Sequence, residues 1–321
     1  MLPTILKNAI EKESGFSVAH LKQAREGLTA RYRQGQPQER QITTELERRS
    51  YLLTRLPATY AVISEVFRQI LLRCTPLDHV HSILDLGAGP GTAIWAACEH
   101  FPALKNATAI EADSHFIALG KRLAEAGNSP VFSHFSWICQ NLQENIPLPA
   151  HDLVILSYSI GEMRDEMLLT LMERAFAAAN QMVIVIEPGT PAGFERIRRM
   201  RSHLIALGGY PVAPCPHASA CPILAPDWCH FSVRLERSSL HRRLKGGSLS
   251  YEDEKFAYSA VAKSAPATVQ DRIIAAPQVR SGHIRLKLCT QTGCIQQTII
   301  SKKQGLLYKD ARKLSWGDSI R

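Results

Sequence analysis

The chain has 321 residues, 45% hydrophobic and 21% charged, enough to bury one extended core or two smaller ones. That composition excludes a disordered or low-complexity chain, and apolar runs such as Met182 to Ile186 are far too short to cross a bilayer. The net charge of +9 divides into −3 over residues 1–189 and +12 over residues 190–321, so a small-ligand half joined to a polyanion-binding half competes with a merely solvated basic surface.

Residues 1–73 read as a helical region. Val18 to Gln34 has helical spacing of apolar positions, Thr43 to Thr54 is rich in Glu, Arg and Leu, and Ala61 to Arg73 is amphipathic. Pro57, in Arg55-Leu56-Pro57-Ala58-Thr59-Tyr60, suits a helix start because its missing N–H is not needed there. Met1 to Gly15 lacks the continuous apolar core of a secretory signal, so an intracellular, reducing location is expected. The eight cysteines are then not a disulfide framework.

From His81 strand-like and helix-like segments alternate. Strands are expected at Ser82–Leu86, Ala107–Ile110, Phe132–Cys139, Leu153–Ser157 and Met182–Ile186. Helices are expected near Thr92–His100, Ser114–Ala126, Glu162–Ala179 and Ala192–Leu207. Such alternation gives right-handed crossovers and a parallel sheet with its ligand crevice at the carboxyl ends of the strands. After Gly208-Gly209 the texture changes to a Pro/Cys loop from Pro211 to Cys229 and a strand at Phe231–Leu235. A basic loop at His241–Gly247, a strand at His283–Cys289 and a basic tail follow. The expected division is 1–73 helical, 74–209 nucleotide-binding core, and 210–321 cysteine loop, closing strands and basic C-terminal region.

The first strand runs into Asp85-Leu86-Gly87-Ala88-Gly89-Pro90-Gly91. This G-x-G-x-G differs from the G-x-G-x-x-G of dinucleotide enzymes, which is shaped for a pyrophosphate at a helix N-terminus. S-adenosylmethionine has no pyrophosphate. Glu111, ending the next strand, is placed to accept both ribose hydroxyls, and Asn141, after the third, to reach the adenine amino group. The expected cofactor set is Asp85, Gly87, Gly89, Gly91, Glu111 and Asn141, on an α/β, Rossmann-like class I methyltransferase fold. Glycines serving only a strand–helix turn are the plainer alternative, which the Asp85/Glu111 pairing disfavours. Catalysis is not legible. Where amino-group methyltransferases carry Asn or Asp followed by two prolines and an aromatic residue, this chain has Ser157-Tyr158-Ser159-Ile160-Gly161-Glu162. Tyr158 and Glu162 are candidates for shaping an acceptor pocket, and no general base stands out.

Cys215, Cys221 and Cys229 form C-x5-C-x7-C in one proline-punctuated loop. Three thiols in such a loop favour metal ligation, with Cys289 or Cys294 as a fourth ligand. The absence of a short C-x2-4-C knuckle favours a four-cysteine iron–sulfur cluster, while His217 and His230 keep zinc open. Two alternatives remain: unrelated structural cysteines, or Cys215 as the nucleophile of a pyrimidine C5-methyltransferase. Cys74, Cys98 and Cys139 read as packing residues.

Taken in order, several stretches resemble the methyltransferase-like proteins of the mitochondrial small ribosomal subunit and their bacterial relatives. They are Arg55–Tyr60, Leu84–Thr92 with Trp95, Gly161-Glu162, Glu187–Pro191, Cys215–Phe231, Glu252–Phe256, Gly282-His283 and Ala311–Asp318. The resemblance implies a factor in assembly or maturation of the small subunit that contacts rRNA. It also implies a 4Fe-4S cluster on Cys215, Cys221, Cys229 and Cys289, and a fold kept as a scaffold or as an active rRNA methyltransferase. With no transit peptide evident, the expected setting is the cytoplasm of a bacterium, away from membranes.

Overall fold

The computed structural model describes residues 2–34, 42–73, 79–267 and 269–320. Four helices come first: α1 (Thr4–Lys12), α2 (Val18–Gln34), α3 (Glu45–Thr54) and α4 (Leu56–Leu71). Helix α3 starts where Thr44 and Glu47 form a reciprocal capping box, which satisfies two backbone donors at once. Helix α4 begins earlier than its apolar spacing predicts, because Pro57 occupies the first turn.

The alternating region follows as β1 (Ser82–Leu86), α5 (Thr92–His100), β2 (Asn106–Glu111), α6 (Ser114–Glu125), β3 (Phe135–Cys139), β4 (His151–Ser157), α7 (Asp165–Ala178), β5 (Ala179–Pro188) and α8 (Pro191–Ala206). Then come β6 (Tyr210–Ala213), β7 (Phe231–Glu236), α9 (Ser239–Lys245) and β8 (Tyr251–Ala262). The chain closes with β9 (Asp271–Ile273), β10 (Gln278–Arg280), β11 (His283–Cys289), β12 (Ile295–Ser301), α10 (Leu306–Ala311) and β13 (Ser319–Ile320).

The main sheet has the order β3-β2-β1-β4-β5-β8-β6, with β7 also on β8. Strands β1 to β5 are mutually parallel and β8 runs antiparallel to β5. A parallel doubly wound sheet with one reversed strand beside its last member is the class I methyltransferase order, so the α/β Rossmann-like expectation holds. Three of its strands come from beyond residue 209. The far edge of β8 is shared: its C-terminal half pairs with β6 and its N-terminal half with β7.

Alternation along the strands splits the core into two layers. Ile83, Leu153, Ile155, Ile184 and Ile186 face the layer that includes α4 and α5. Leu84, Val154, Leu156, Val183 and Val185 face the layer that includes α7 and α8. Each is fully buried, and each contributes about 1.5–3 kcal/mol relative to exposure. A second, five-stranded sheet (β9 to β13) packs Ile284, Leu286, Leu288 and Ile300 against Tyr308 and Ala311 of α10.

Two C-terminal expectations need correction. The stretch read as a basic loop is helix α9, capped by the Ser238 hydroxyl and ended by Gly246 in the left-handed region. It docks through buried His241 and Leu244, and its Lys245 pairs with Glu252. Strand β8, the longest in the chain, was not expected at all. Among the described residues, no helix is long and apolar enough to cross a membrane.

Candidate functional site

The glycine loop folds back onto the end of β2. Backbone N–H groups of Gly87 and Ala88 both donate to the Ile110 carbonyl, at 2.9 and 3.1 Å. The Glu111 carboxylate accepts from Gly89 N at 2.8 Å and from Asp113 N at 2.8 Å. Glu111 therefore holds the loop itself, and each of its oxygens keeps a second lone pair for a hydroxyl. Gln140 N donates to the Glu111 carbonyl at 3.0 Å, which brings the end of β3 alongside. There Asn141 is exposed, its side-chain oxygen accepting from Gln143 N at 3.0 Å.

Asp85 is 1% exposed, and its Oδ1 has no partner. Burial, then the nearby Glu111 charge, pushes its carboxyl up to about 8. An orphaned acid at the floor of a loop suits a cationic ligand, and S-adenosylmethionine carries both a sulfonium and an ammonium. All six expected residues thus sit at the carboxyl ends of β1, β2 and β3, where ligands of open α/β sheets bind.

Gly87 has φ of +75°, and a Cβ there would lie 2.4 Å from Ser159 Cβ. Gly87→Ala is expected to lower stability by about 2 kcal/mol or more and to displace the loop. Thermal unfolding and adenosylmethionine titration check this; an unchanged melting temperature would show that Ser159 yields.

Two arginines of the N-terminal region reach the surroundings of the crevice. Arg48 of α3 makes a buried ion pair with Asp113, next to Glu111, with Nε to Oδ2 at 2.8 Å. On the other flank Arg55 pairs with Glu254 of β8 at 3.1 Å. The Arg55 guanidinium stands 5.8 Å from the ring of Tyr158, just past β4. Tyr158 has φ of +58°, and its buried hydroxyl has no partner. Burial pushes its phenol well above the usual tyrosine range. The side chain of Glu162 lies outside the described residues.

The second feature is a cleft of about 550 Å³, part of it open to solvent, between α8, the 214–230 loop, β8 and the second sheet. Cys215, Cys221, Cys229 and Cys289 all line it, with His217 and Arg201. Burial, then the neighbouring Cys215, Cys221 and Cys289, pushes the Cys229 thiol well above its ordinary value. Cys289 is pushed up to about 12 by burial and then by Cys215 and Cys221, and its Sγ lies 3.4 Å from His217 Nε2. Cys294 is exposed in the turn after β11. His230 stacks on Trp228 at 5.2 Å and is not among the residues lining the cleft.

Among the described residues, no three His, Cys, Asp or Glu side chains converge closely enough to hold a single metal ion. A polynuclear cluster spreads its thiolates further apart, and the all-cysteine donor set fits one. Burial raises the Cys215 thiol, and the Arg201 guanidinium beside it opposes that rise. Among the remaining cysteines Cys98 is half-buried, Cys139 is exposed and not the packing residue expected, and Cys74 lies outside the described residues.

Sequence reading missed Arg201 and Arg272, both lining the cleft and at most 3% exposed. The signal for Arg201 was present: it lies four residues after Ile197 on the apolar face of α8.

The chain is 25% identical over 290 residues to the human ribosome assembly protein METTL17, mitochondrial, covering 84% of this chain and 61% of that one. It is 24% identical over 323 residues to the Rsm22-cox11 tandem protein 2, mitochondrial, of Schizosaccharomyces pombe, covering 84% of this chain and 42% of that one. The chain thus spans less than two thirds of the length of these relatives. These names overturn the expectation of a bacterial cytoplasmic protein, because the relatives it matches are mitochondrial. Among solved structures it is similar to magnesium protoporphyrin IX methyltransferase of Synechocystis (11% identity, 74% of this chain, 93% of that chain, TM-score 0.42). It is also similar to precorrin-6y C5,15-methyltransferase of Geobacter metallireducens (14% identity, 63% and 86%, TM-score 0.40). The family model described as mitochondrial small ribosomal subunit Rsm22 matches residues 45–321, and the chain belongs to that family.

Proposed function

We propose that this chain is an assembly factor of the mitochondrial small ribosomal subunit. On this reading it binds rRNA through its C-terminal half and S-adenosylmethionine at the glycine loop. Cys215, Cys221, Cys229 and Cys289 would hold a 4Fe-4S cluster that ties the 214–230 loop to β11. Such a cluster would supply a cross-link between the two sheets.

The observation that carries the ribosomal reading, beside family membership, is the outer face of the second sheet. Arg280 and Arg285 are exposed on adjacent strands, and neither has an ion-pair partner among the described residues. Exposed Lys302 and Lys303 follow directly after β12. Unpaired cations at strand spacing suit a phosphate backbone, whose counterions they release.

Arg280→Glu combined with Arg285→Glu is expected to reduce co-sedimentation with small-subunit particles. It should also lower the salt dependence of rRNA binding by about one unit per lost contact. Unchanged affinity and slope would remove this face from the reading. An rRNA methyltransferase is the second reading, favoured by the intact loop and by strained Tyr158 at the end of β4. Tritiated methyl transfer to immature particles distinguishes it from a scaffold.

A further inference from the structure

Arg201 and Arg272 are buried guanidinium groups that take part in no ion pair among the described residues. Both are held by neutral acceptors. Arg201 donates to the carbonyls of His217 and Ser219, the latter at 3.0 Å. Arg272 donates to the Pro214 carbonyl at 2.8 Å, the Gly317 carbonyl at 2.7 Å and Gln69 Oε1 at 3.3 Å. Carbonyls engage one Arg201 nitrogen and two Arg272 nitrogens, while Arg201 Nε is buried without a partner, and both charges are left uncancelled, which is strongly unfavourable for buried groups. The two cations come from separate elements, α8 and β9, and line the same cleft as the four cysteines.

We propose that Arg201 and Arg272 are the counter-charges of the anion this cleft is built to hold, and that they set its reduction potential. The inference rests on the cluster reading above. Four thiolates around an iron–sulfur core carry net negative charge, which two fixed cations in a low-dielectric pocket offset. The guanidinium groups favour the more negative, reduced form of the bound cluster and slow its release. They are positioning residues and need not ligate iron. These hydrogen bonds hold both guanidinium groups at the cleft, so the charges are in place before the cluster binds.

The test uses the full chain, purified anaerobically, as wild type, Arg201→Gln, Arg272→Gln and Arg201→Lys. Iron and sulfide content, loss of visible absorbance to a chelator, and midpoint potential by mediated dithionite titration are measured on each. Both glutamine variants are expected to shift the one-electron reduction equilibrium at least tenfold toward the oxidised form, a drop of about 59 mV. They should also lose iron faster, and Arg201→Lys should restore most of both properties.

Glutamine variants with wild-type potential and retention would overturn the inference and leave the cluster standing. Equal loss in Arg201→Gln and Arg201→Lys would overturn it as well, because shape and not charge would then matter. If Arg201→Gln holds no cluster but Arg201→Lys does, the charge requirement is supported. Wild-type protein without iron and sulfide would instead remove the cluster reading itself.

Discussion

Cys229→Ser is expected to take the anaerobically purified protein from about four irons and four sulfides per chain to almost none. Cys229 is the sharpest choice because it lines the cleft together with Cys215, Cys221 and Cys289, each of which raises its thiol. The binding energy of a bound cluster is folding energy, so the loss should be several kcal/mol. At roughly 2–4 °C per kcal/mol for a chain of this size, the melting temperature should fall by on the order of 10 °C. Cys294→Ser, at an exposed turn, should change neither quantity. One zinc and no sulfide in the wild type would overturn the cluster, and metal-free protein of full stability would make these cysteines ordinary packing residues.

Asp85→Asn is expected to raise stability in alkaline solution while weakening S-adenosylmethionine binding. The folded carboxyl titrates at about 8, against about 3.9 for an unfolded aspartate. Between those values the folded state holds a proton that the unfolded state has released. Stability is therefore fully present below the unfolded value and is lost as pH rises through about 8, at up to about 1.4 kcal/mol per pH unit. The amide carries no such penalty, so at pH 8.5 the variant should be more stable by roughly a few kcal/mol, a gap that closes near pH 4.5. A cationic ligand draws the proton off Asp85, so wild-type affinity should tighten as pH rises toward 8. In the variant that dependence should flatten, with affinity weaker by about 10- to 100-fold, the worth of one hydrogen bond to a charged group. Calorimetric titration at pH 6, 7 and 8 measures both effects. Equal binding by the variant would place Asp85 outside the ligand cradle.

The sequence was most legible where local chemistry and tertiary role agree. Ser82–Leu86 and Thr92–His100 form as their patterns predict, because a buried parallel strand, a glycine turn and an amphipathic helix leave little choice. Glu111 is placed by the same logic, although its bonds to Gly89 and Asp113 could not be read from spacing. Strand β8 escaped notice because Tyr251 at its start is followed by Glu252-Asp253-Glu254-Lys255, a solvent-like run. Its pairing is set by distant partners: Glu252 is held by Arg237 and Lys245, and Glu254 by Arg55. Four cysteines of the metal candidate share one cleft, but the cations facing them come from α8 and β9, which no linear pattern joins.

The shared edge of β8 bears on how freely the cysteine loop can change. Ala213, where the cysteine loop departs, pairs with Ala260, and Phe231, where it returns, pairs with Phe256. The two stems of a long excursion are therefore only four strand residues apart, about 13 Å along one ladder. A segment whose ends lie that close can be spliced into a connection without disturbing what it joins. On that geometry the 214–230 excursion can vary in length while the main sheet keeps its pairing.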